Sequence, residues 1–236
     1  MKNILLNKKL LFSLIGLIIC ILIVSCVLVI KKCNSQDIGK QYYDNKVKTF
    51  AEENKNIDNC DVVFIGDSLT DDYDLKKYYP EISVLNRGIS GDRTKGLLDR
   101  MKVSVYDVNP KVVVVLIGGN DILAKLNLDK SLKNYENIIN GIKTNLPNTK
   151  IIIQSFYPIG EDWTHFNQTM IDTNVKVKAL AQKYDCTFVD MYTPLLDNST
   201  RELNTHYTIE GVHLNQTGYE TVTYILKPII FKLLGK

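Results

Sequence analysis

The sequence predicts an α/β fold in which helices cover both faces of a parallel sheet. Short runs of β-branched residues alternate with longer segments of helical spacing along the C-terminal three quarters of the chain. The runs are mostly apolar and are bounded by Gly, Asn or Pro, as strands buried on both faces are. This alternation is typical of parallel sheets, whose functional sites lie beyond the carboxyl ends of the strands.

Each predicted element is defined by its own pattern. The five predicted strands lie at residues 61–65, 82–85, 112–117, 151–154 and 187–189. The segments with helical periodicity lie at residues 94–105, 132–146, 169–184 and 217–234.

The composition is that of an ordinary globular domain attached to an apolar N-terminal segment. The 236 residues are 45% hydrophobic and 23% charged, with a formal net charge of +3. The lysines are scattered along the chain, so no nucleic acid partner is expected. Outside the apolar segment, Cys33, Cys60 and Cys186 form an odd set without CxxC spacing. This spacing indicates neither a disulfide framework nor a zinc site.

The N-terminal region predicts attachment to a membrane. Residues 10–30 contain no charged side chain and, at ~1.5 Å per residue, are long enough for a ~30 Å hydrocarbon core. We predict a short segment at 1–9, a transmembrane signal anchor at 10–30, a polar stalk at 31–57 and one extracytoplasmic domain at 58–236. The alternative is a bacterial lipoprotein lipidated at Cys26. The apolar residues that follow Cys26 favour the anchor.

Polar motifs follow the first three predicted strands. A GDSLT sequence places Ser68 where the chain leaves the first strand for a helix. The NRGISGD loop after the second strand contains Gly91, where the backbone can approach a ligand closely. The GGND sequence after the third strand presents the side-chain amide of Asn120. Each motif alone also fits a helix cap or a plain turn, so their joint occurrence carries the argument.

An EGVH sequence near the C-terminus places Glu210 three residues before His213. A serine hydroxyl is a poor nucleophile at neutral pH, and an imidazole is the usual base that takes its proton. His165 and His206 lie in other predicted loops and are expected to be surface residues. No HExxH, P-loop or dinucleotide-binding motif occurs in the sequence, so those enzyme classes have no local support.

These four blocks, in this order and context, resemble those of the SGNH (GDSL) hydrolase family. The resemblance implies a three-layer α/β/α sandwich with a five-stranded parallel sheet in the flavodoxin-like order 2-1-3-4-5. It also implies that no metal or other cofactor is needed. The resemblance covers the chain from about residue 58 to its end.

The resemblance further implies a role for each matching residue. Ser68 is similar to the family nucleophile, and its amide, the amide of Gly91 and the side chain of Asn120 resemble the oxyanion hole. His213 resembles the general base. Glu210 occupies the place of the orienting acid, where the family usually has Asp. This departure leaves another acid, such as Asp197 or Glu202, as an alternative partner of the histidine.

The predicted function is that of a membrane-tethered, extracytoplasmic serine carboxylic ester hydrolase at the bacterial cell surface. It is expected to cleave short acyl esters, acetyl above all, through an acyl-enzyme on Ser68, with a small ester or an acylated glycan as substrate. The alternatives are an acyltransferase with the same site, a lysophospholipase or thioesterase and, suggested only by Glu210, a non-catalytic glycan-binding module. The sequence does not determine the oligomeric state.

Overall fold

A computed structural model of the protein describes residues 39–236. The chain divides into two units, Met1–Asn45 and Lys46–Lys236, and the second unit contains the sheets. The predicted anchor at 10–30 and the alternative lipidation site at Cys26 lie outside the described residues. Within the described part of the chain, no helix is long and apolar enough to cross a membrane.

The main sheet has five strands, all parallel, in the order β2-β1-β3-β4-β5. The strands are β1 (Cys60–Gly66), β2 (Val84–Gly88), β3 (Pro110–Leu116), β4 (Lys150–Gln154) and β5 (Thr187–Val189). Helices flank this sheet, so the predicted three-layer α/β/α fold and its strand order are confirmed. Two short antiparallel strands, β6 (Leu196–Asp197) and β7 (Glu202–Leu203), form a separate hairpin.

Ten α-helices occur in the described residues. They are α1 (39–54), α2 (Ser68–Asp71), α3 (Leu75–Tyr78), α4 (Thr94–Asp99), α5 (Met101–Ser104), α6 (Gly119–Leu123), α7 (Leu128–Asn145), α8 (Asn167–Lys183), α9 (Tyr192–Leu195) and α10 (Gln216–Leu234). The long helices α7, α8 and α10 match the segments predicted from helical spacing. The short helices α2 and α6 directly follow β1 and β3 and begin at the predicted GDSLT and GGND motifs.

The single helix predicted at 94–105 is two short helices, α4 and α5, separated at Arg100. The guanidinium of Arg100 is buried and donates to the Asp92 carboxylate and to the backbone oxygens of Arg87 and Gly66. These hydrogen bonds satisfy the donors of the buried guanidinium, and Arg100 lies at the position where the helix is interrupted.

The domain begins earlier than predicted. Helix α1 buries Phe50, which is 3% exposed, and its ring lies 4.6 Å from the guanidinium carbon of Arg87. The carboxylate of Glu53 is hydrogen-bonded to the same guanidinium. The compact unit accordingly starts at Lys46, and the last part of the stalk predicted at 31–57 belongs to the domain.

The strand register brings three motif-bearing loops together. Gly66, at the end of β1, lies beside Gly88 of β2 on one side and beside Leu116 of β3 on the other. Because the strands are parallel, the loops that follow them leave the sheet at the same edge. This edge carries the GDSLT, NRGISGD and GGND sequences.

Candidate active site

The turn after β1 exposes the hydroxyl of Ser68 at the carboxyl edge of the sheet. The Asp67 side chain caps α2 by accepting from the Leu69 N–H at 3.2 Å, so Ser68 is the first residue of the helix. A β-carbon on Gly66 would lie 2.2 Å from the Thr70 hydroxyl oxygen. Only glycine therefore fits at the point where the strand gives way to the helix.

Ser68, His213 and Glu210 form one hydrogen-bonded chain. The Ser68 Oγ lies 2.9 Å from Nε2 of His213, and Nδ1 of His213 is hydrogen-bonded to Oε1 of Glu210. The same carboxylate oxygen accepts from the backbone N–H of His213 at 3.1 Å. Because a carboxylate only accepts, Nδ1 carries the proton and Nε2 is free to accept from the serine hydroxyl.

A tight turn brings Glu210 to the ring of His213. The hydroxyl of Thr208 donates to the His213 carbonyl oxygen at 2.8 Å and accepts from the Gly211 N–H at 2.9 Å. Gly211 has a φ of +81°, a left-handed conformation that glycine adopts without strain. Its carbonyl oxygen accepts from the Gly160 N–H at 2.7 Å, so the loop after β4 supports the turn.

The two alternative acids lie elsewhere. The Asp197 carboxylate accepts from the Ser199 and Thr200 amides and from the Ser199 hydroxyl within its own turn. Glu202 belongs to β7 and makes no hydrogen bond to His213 within the described structure.

The other two histidines are also separate from the serine. His165 Nδ1 lies 3.0 Å from the Asp162 carbonyl oxygen on an exposed 3₁₀ turn, and His206 occupies another exposed turn. Both side chains are surface residues, as the sequence predicts.

Asn120 and Gly91 lie on the two neighbouring loops. The Asn120 Nδ2 donates one hydrogen bond, at 3.0 Å, to the carbonyl oxygen of Asp92, which leaves its second N–H for another acceptor. Gly91 has a φ of +77° and is exposed. Within residues 39–236 the backbone amides of Ser68 and Gly91 have no hydrogen-bond partner. Together these groups are donors available to a bound anion.

A small pocket opens beside Ser68. Its volume is about 40 Å³, and Ser68 and Asn120 line it together with Asp67 and Gly119. Gly91 is not part of this lining, although the adjoining Asp92 carbonyl is bonded to Asn120. The remaining walls are mostly apolar and consist of Leu69, Leu116, Leu123, Phe156, Tyr157, Ile159, Met170 and Val212.

None of these apolar wall residues was predicted from the sequence as part of the site. Phe156, Tyr157 and Ile159 lie on the loop after β4, at the same sheet edge as the three motifs. Their position directly after a predicted strand was the one feature of the sequence that could have indicated a place near the site. Their side chains resemble ordinary core residues, so the sequence alone does not distinguish a pocket wall from the core.

Two buried carboxylates lie close to the serine. Burial is the main reason that the pKa of Asp67 is raised to about 7. The Leu69 N–H and His213 oppose this rise, and the charge of Asp92 adds to it. Burial also raises the pKa of Asp92, against the lowering effect of Arg100. Among the described residues, no group of three or more His, Cys, Asp or Glu side chains is arranged to hold a metal ion.

Comparison with known proteins agrees with this geometry. Residues 64–221 match the GDSL-like lipase/acylhydrolase family. The chain is 28% identical over 180 residues to the platelet-activating factor acetylhydrolase IB subunit alpha2 of Rattus norvegicus, which covers 74% of this chain and 77% of that protein.

Solved structures give the same result. A GDSL-like lipase from Bacteroides thetaiotaomicron superposes with a TM-score of 0.72 at 26% identity, over 79% of this chain and 97% of that one. An acetylxylan esterase from Geobacillus stearothermophilus, at 20% identity and a TM-score of 0.62 over 76% and 96% of the two chains, shares the fold. This chain therefore belongs to the GDSL-like lipase/acylhydrolase family, the SGNH hydrolases, and is a serine ester hydrolase.

Proposed function

We propose that the enzyme hydrolyses short-chain acyl esters, acetyl esters above all, through an acyl-enzyme on Ser68. The observation that carries this proposal is the 2.9 Å contact between the Ser68 Oγ and Nε2 of His213, with Glu210 bonded to the other ring nitrogen. A base in this position can accept the hydroxyl proton as the oxygen attacks a carbonyl carbon.

The reaction then takes two stages. In the first, the Ser68 Oγ bonds to the ester carbonyl carbon, its proton passes to Nε2 of His213, and the alcohol leaves with that proton. In the second, water attacks the carbonyl carbon of the acyl-enzyme and gives a proton to the same nitrogen. The bond from that carbon to Oγ then breaks, His213 returns the proton to Oγ, and the carboxylic acid leaves. Glu210 accepts from Nδ1 throughout and stabilises the imidazolium that forms in each stage.

The oxyanion of both tetrahedral intermediates is proposed to bind three donors. They are the amides of Ser68 and Gly91 and the second N–H of Asn120. In support, both amides lack partners in the described structure, and Asn120 lines the pocket beside the serine. A preorganised donor of this kind typically lowers the barrier by about 3–4 kcal/mol.

The pocket supports a small acyl group. Its volume of about 40 Å³ is small, which favours a short acyl group over a long one. Its walls are apolar, which suits the methyl group of an acetyl ester better than a charged or polar acyl chain. The name of the rat relative, an acetylhydrolase, points to the same acyl group.

The proposed location is the outer face of a membrane. The uncharged segment at 10–30 would act as an anchor and leave the ester hydrolase domain outside the cytoplasm. An acylated glycan or a small ester is then the accessible substrate.

A panel of aryl esters of increasing acyl length tests the substrate class, with the full chain and an acetylated glycan assayed in parallel. We expect kcat/KM to be highest for acetyl and to fall by about tenfold or more for an eight-carbon chain, since the extra carbons exceed the pocket. The Ser68→Ala variant is the blank. Highest kcat/KM on the long esters would contradict the proposed acyl preference.

The tether is tested by membrane partitioning and by the mass of the mature protein. The full chain should sediment with membranes and retain its N-terminal segment, and Cys26→Ser should change its mass only by the side chain. A wild-type chain that loses its first 25 residues, with Cys26→Ser remaining unprocessed, would show a lipoprotein instead.

A further inference from the structure

The side chain of Asp71 joins the helix that begins at Ser68 to the loop that carries Gly91. Its Oδ2 accepts hydrogen bonds from the backbone N–H and from the hydroxyl of Ser90, each at 2.9 Å. Asp71 is the last residue of α2, and its side chain is 7% exposed. We infer that Asp71 is a positioning residue that holds the Gly91 amide in the direction the oxyanion hole requires. This inference rests on the proposed function.

The direction of the Gly91 N–H depends on Ser90. The peptide unit is planar, so this N–H lies in a plane fixed by the backbone torsions of the preceding residue. Gly91 supplies no restraint of its own, because it is exposed, has a φ of +77° and would have no atom within 4 Å of a β-carbon. Ser90 donates two hydrogen bonds to the Asp71 carboxylate, and these restrain both its backbone and its side chain.

The other flank of Gly91 is held by different partners. The Asp92 carboxylate accepts from the Nε of Arg100 at 2.9 Å, and the Asp92 carbonyl oxygen accepts from Asn120 at 3.0 Å. Gly91 therefore lies between two anchored residues in an otherwise exposed loop. Ser90 and Gly91 are the two central residues of a turn in which the Asp92 N–H donates to the Ile89 carbonyl oxygen at 3.0 Å. Removal of the Asp71 carboxylate would leave this turn closed but would take away the hydrogen bonds that fix Ser90 within it.

Helix α1 takes part in this arrangement through Lys46. The Lys46 Nζ lies 2.6 Å from Oδ1 of Asp71, and the same ammonium lies 5.6 Å from the ring centroid of the buried Phe50. The ammonium balances the charge of a carboxylate that is nearly buried. The N-terminal helix of the domain thus contributes to the loop that carries Gly91.

The rest of α2 keeps its own support when the Asp71 side chain is removed. The Asn86 Nδ2 donates to the backbone oxygens of Thr70 and Tyr73, at 2.6 and 3.1 Å. Ser68 and its contact with His213 should therefore persist in an Asp71→Ala variant. The expected defect is confined to the oxyanion donor, so kcat should change while the pH profile set by the base should not.

The test measures kcat, KM and the pH profile of the full chain on an aryl acetate, together with amide hydrogen exchange at Ser90 and Gly91. Asp71→Ala should lower kcat by about tenfold, less than the 10²–10³ lost with a whole donor. KM should stay within about twofold of the wild-type value, and the midpoint of the pH profile should stay within ~0.3 pH units. Hydrogen exchange at the Ser90 amide should become faster. Ser90→Thr retains both donors and should remain near wild type.

Asp99→Ala is the control, because it removes an exposed carboxylate whose ion pair is with Lys95 on the same helix. It should leave kcat within about twofold. Equal kcat for Asp71→Ala and Asp99→Ala, or unchanged exchange at Ser90, would overturn the inference. The proposed function would still stand in that case if the wild type turns over the ester and Ser68→Ala does not. A wild-type chain without turnover would overturn both.

Discussion

The Ser68 hydroxyl and Nε2 of His213 lie 2.9 Å apart, although 145 residues separate them in the sequence. β1 positions the serine, and the turn before α10 positions the imidazole. Neither residue can reach the other without the folded sheet. Both side chains are only partly buried, so substitution of either one should affect chemistry more than folding. This separation makes the site testable by single substitutions.

We predict that Ser68→Ala removes both turnover and labelling by a fluorophosphonate probe. The hydroxyl oxygen is the group that attacks, so kcat should fall by about 10⁴ or more. The variant should unfold at the same temperature as the wild type. Ser199→Ala removes an exposed hydroxyl that bonds only within its own turn and serves as the control. Undiminished labelling of Ser68→Ala would show that another residue is the nucleophile.

We predict that Asn120→Ala lowers kcat by about 10²–10³ with little change in KM, because a donor to the developing oxyanion is lost. The substitution also removes the hydrogen bond to the Asp92 carbonyl oxygen. The unfolding temperature of the variant is therefore measured beside its kinetics, and we expect it to be slightly lower than that of the wild type. An unchanged kcat would remove Asn120 from the oxyanion hole.

The strands and the motif positions could be predicted because they depend on local patterns, whereas the strand order was implied by the family resemblance. β2 was placed at 82–85 and runs Val84–Gly88. Its Asn86 and Arg87 are polar and read as loop residues, yet Arg87 is 1% exposed and Asn86 bonds to backbone oxygens of α2 and of the residues after it. These contacts come from other elements, so no local pattern reveals them.

The contacts that the segment before residue 58 makes with the domain could not be predicted for the same reason. Phe50 is one aromatic residue in a polar segment, and its burial depends on the guanidinium of Arg87. In the site, the sequence identified Ser68, Asn120 and His213 as candidates by their motifs. It missed the Asp71–Ser90 contact, because an acid after a helix turn and a serine in a loop are both common surface residues.

The earlier boundary leads to a prediction about fragments. A fragment of residues 58–236 lacks Phe50 and the Glu53 carboxylate, and leaves the nearly buried Arg87 without its ion-pair partner. Loss of a buried aromatic side chain alone costs about 3–5 kcal/mol, and the unpaired cation adds to it. We expect this fragment to be unfolded or far less stable than residues 46–236 by urea denaturation. Equal stability of the two fragments would show that α1 contributes nothing.

The buried Asp67 predicts how stability depends on pH. Its folded pKa of about 7 lies above the ordinary value of 3.8, so the folded state binds the proton more tightly than the unfolded chain. The stability linked to this proton is fully present below about pH 4 and is lost as pH rises through about 7. The change amounts to a few kcal/mol, at about 1.4 kcal/mol per unit.

Asp67→Asn isolates this contribution, since an amide keeps the cap on the Leu69 N–H and cannot ionise. The free energy of unfolding of the wild type should fall relative to the variant between about pH 4 and pH 7. The difference between the two proteins includes the interaction of Asp67 with the charge of Asp92, which also raises the pKa of Asp67. Parallel curves from urea denaturation at each pH would show that Asp67 is not protonated in the folded protein at neutral pH.

The last prediction concerns Glu210, whose side chain is one methylene longer than the usual Asp of this family. Its carboxylate nevertheless accepts from both the ring Nδ1 and the backbone N–H of His213. Glu210→Gln should therefore lower kcat by about 10²–10⁴, since the amide no longer fixes the tautomer or stabilises the imidazolium.

The Glu210→Asp variant keeps the negative charge and shortens the side chain, so it tests whether the length of the side chain matters. A shorter side chain in this turn should recover only part of the activity, so its kcat should lie between those of the wild type and Glu210→Gln. Glu202→Gln is the control, because that acid lies on β7 and does not contact the ring. Near-normal turnover by Glu210→Gln would mean that Ser68 and His213 act as a dyad, with the imidazole oriented by its surroundings and not by this carboxylate.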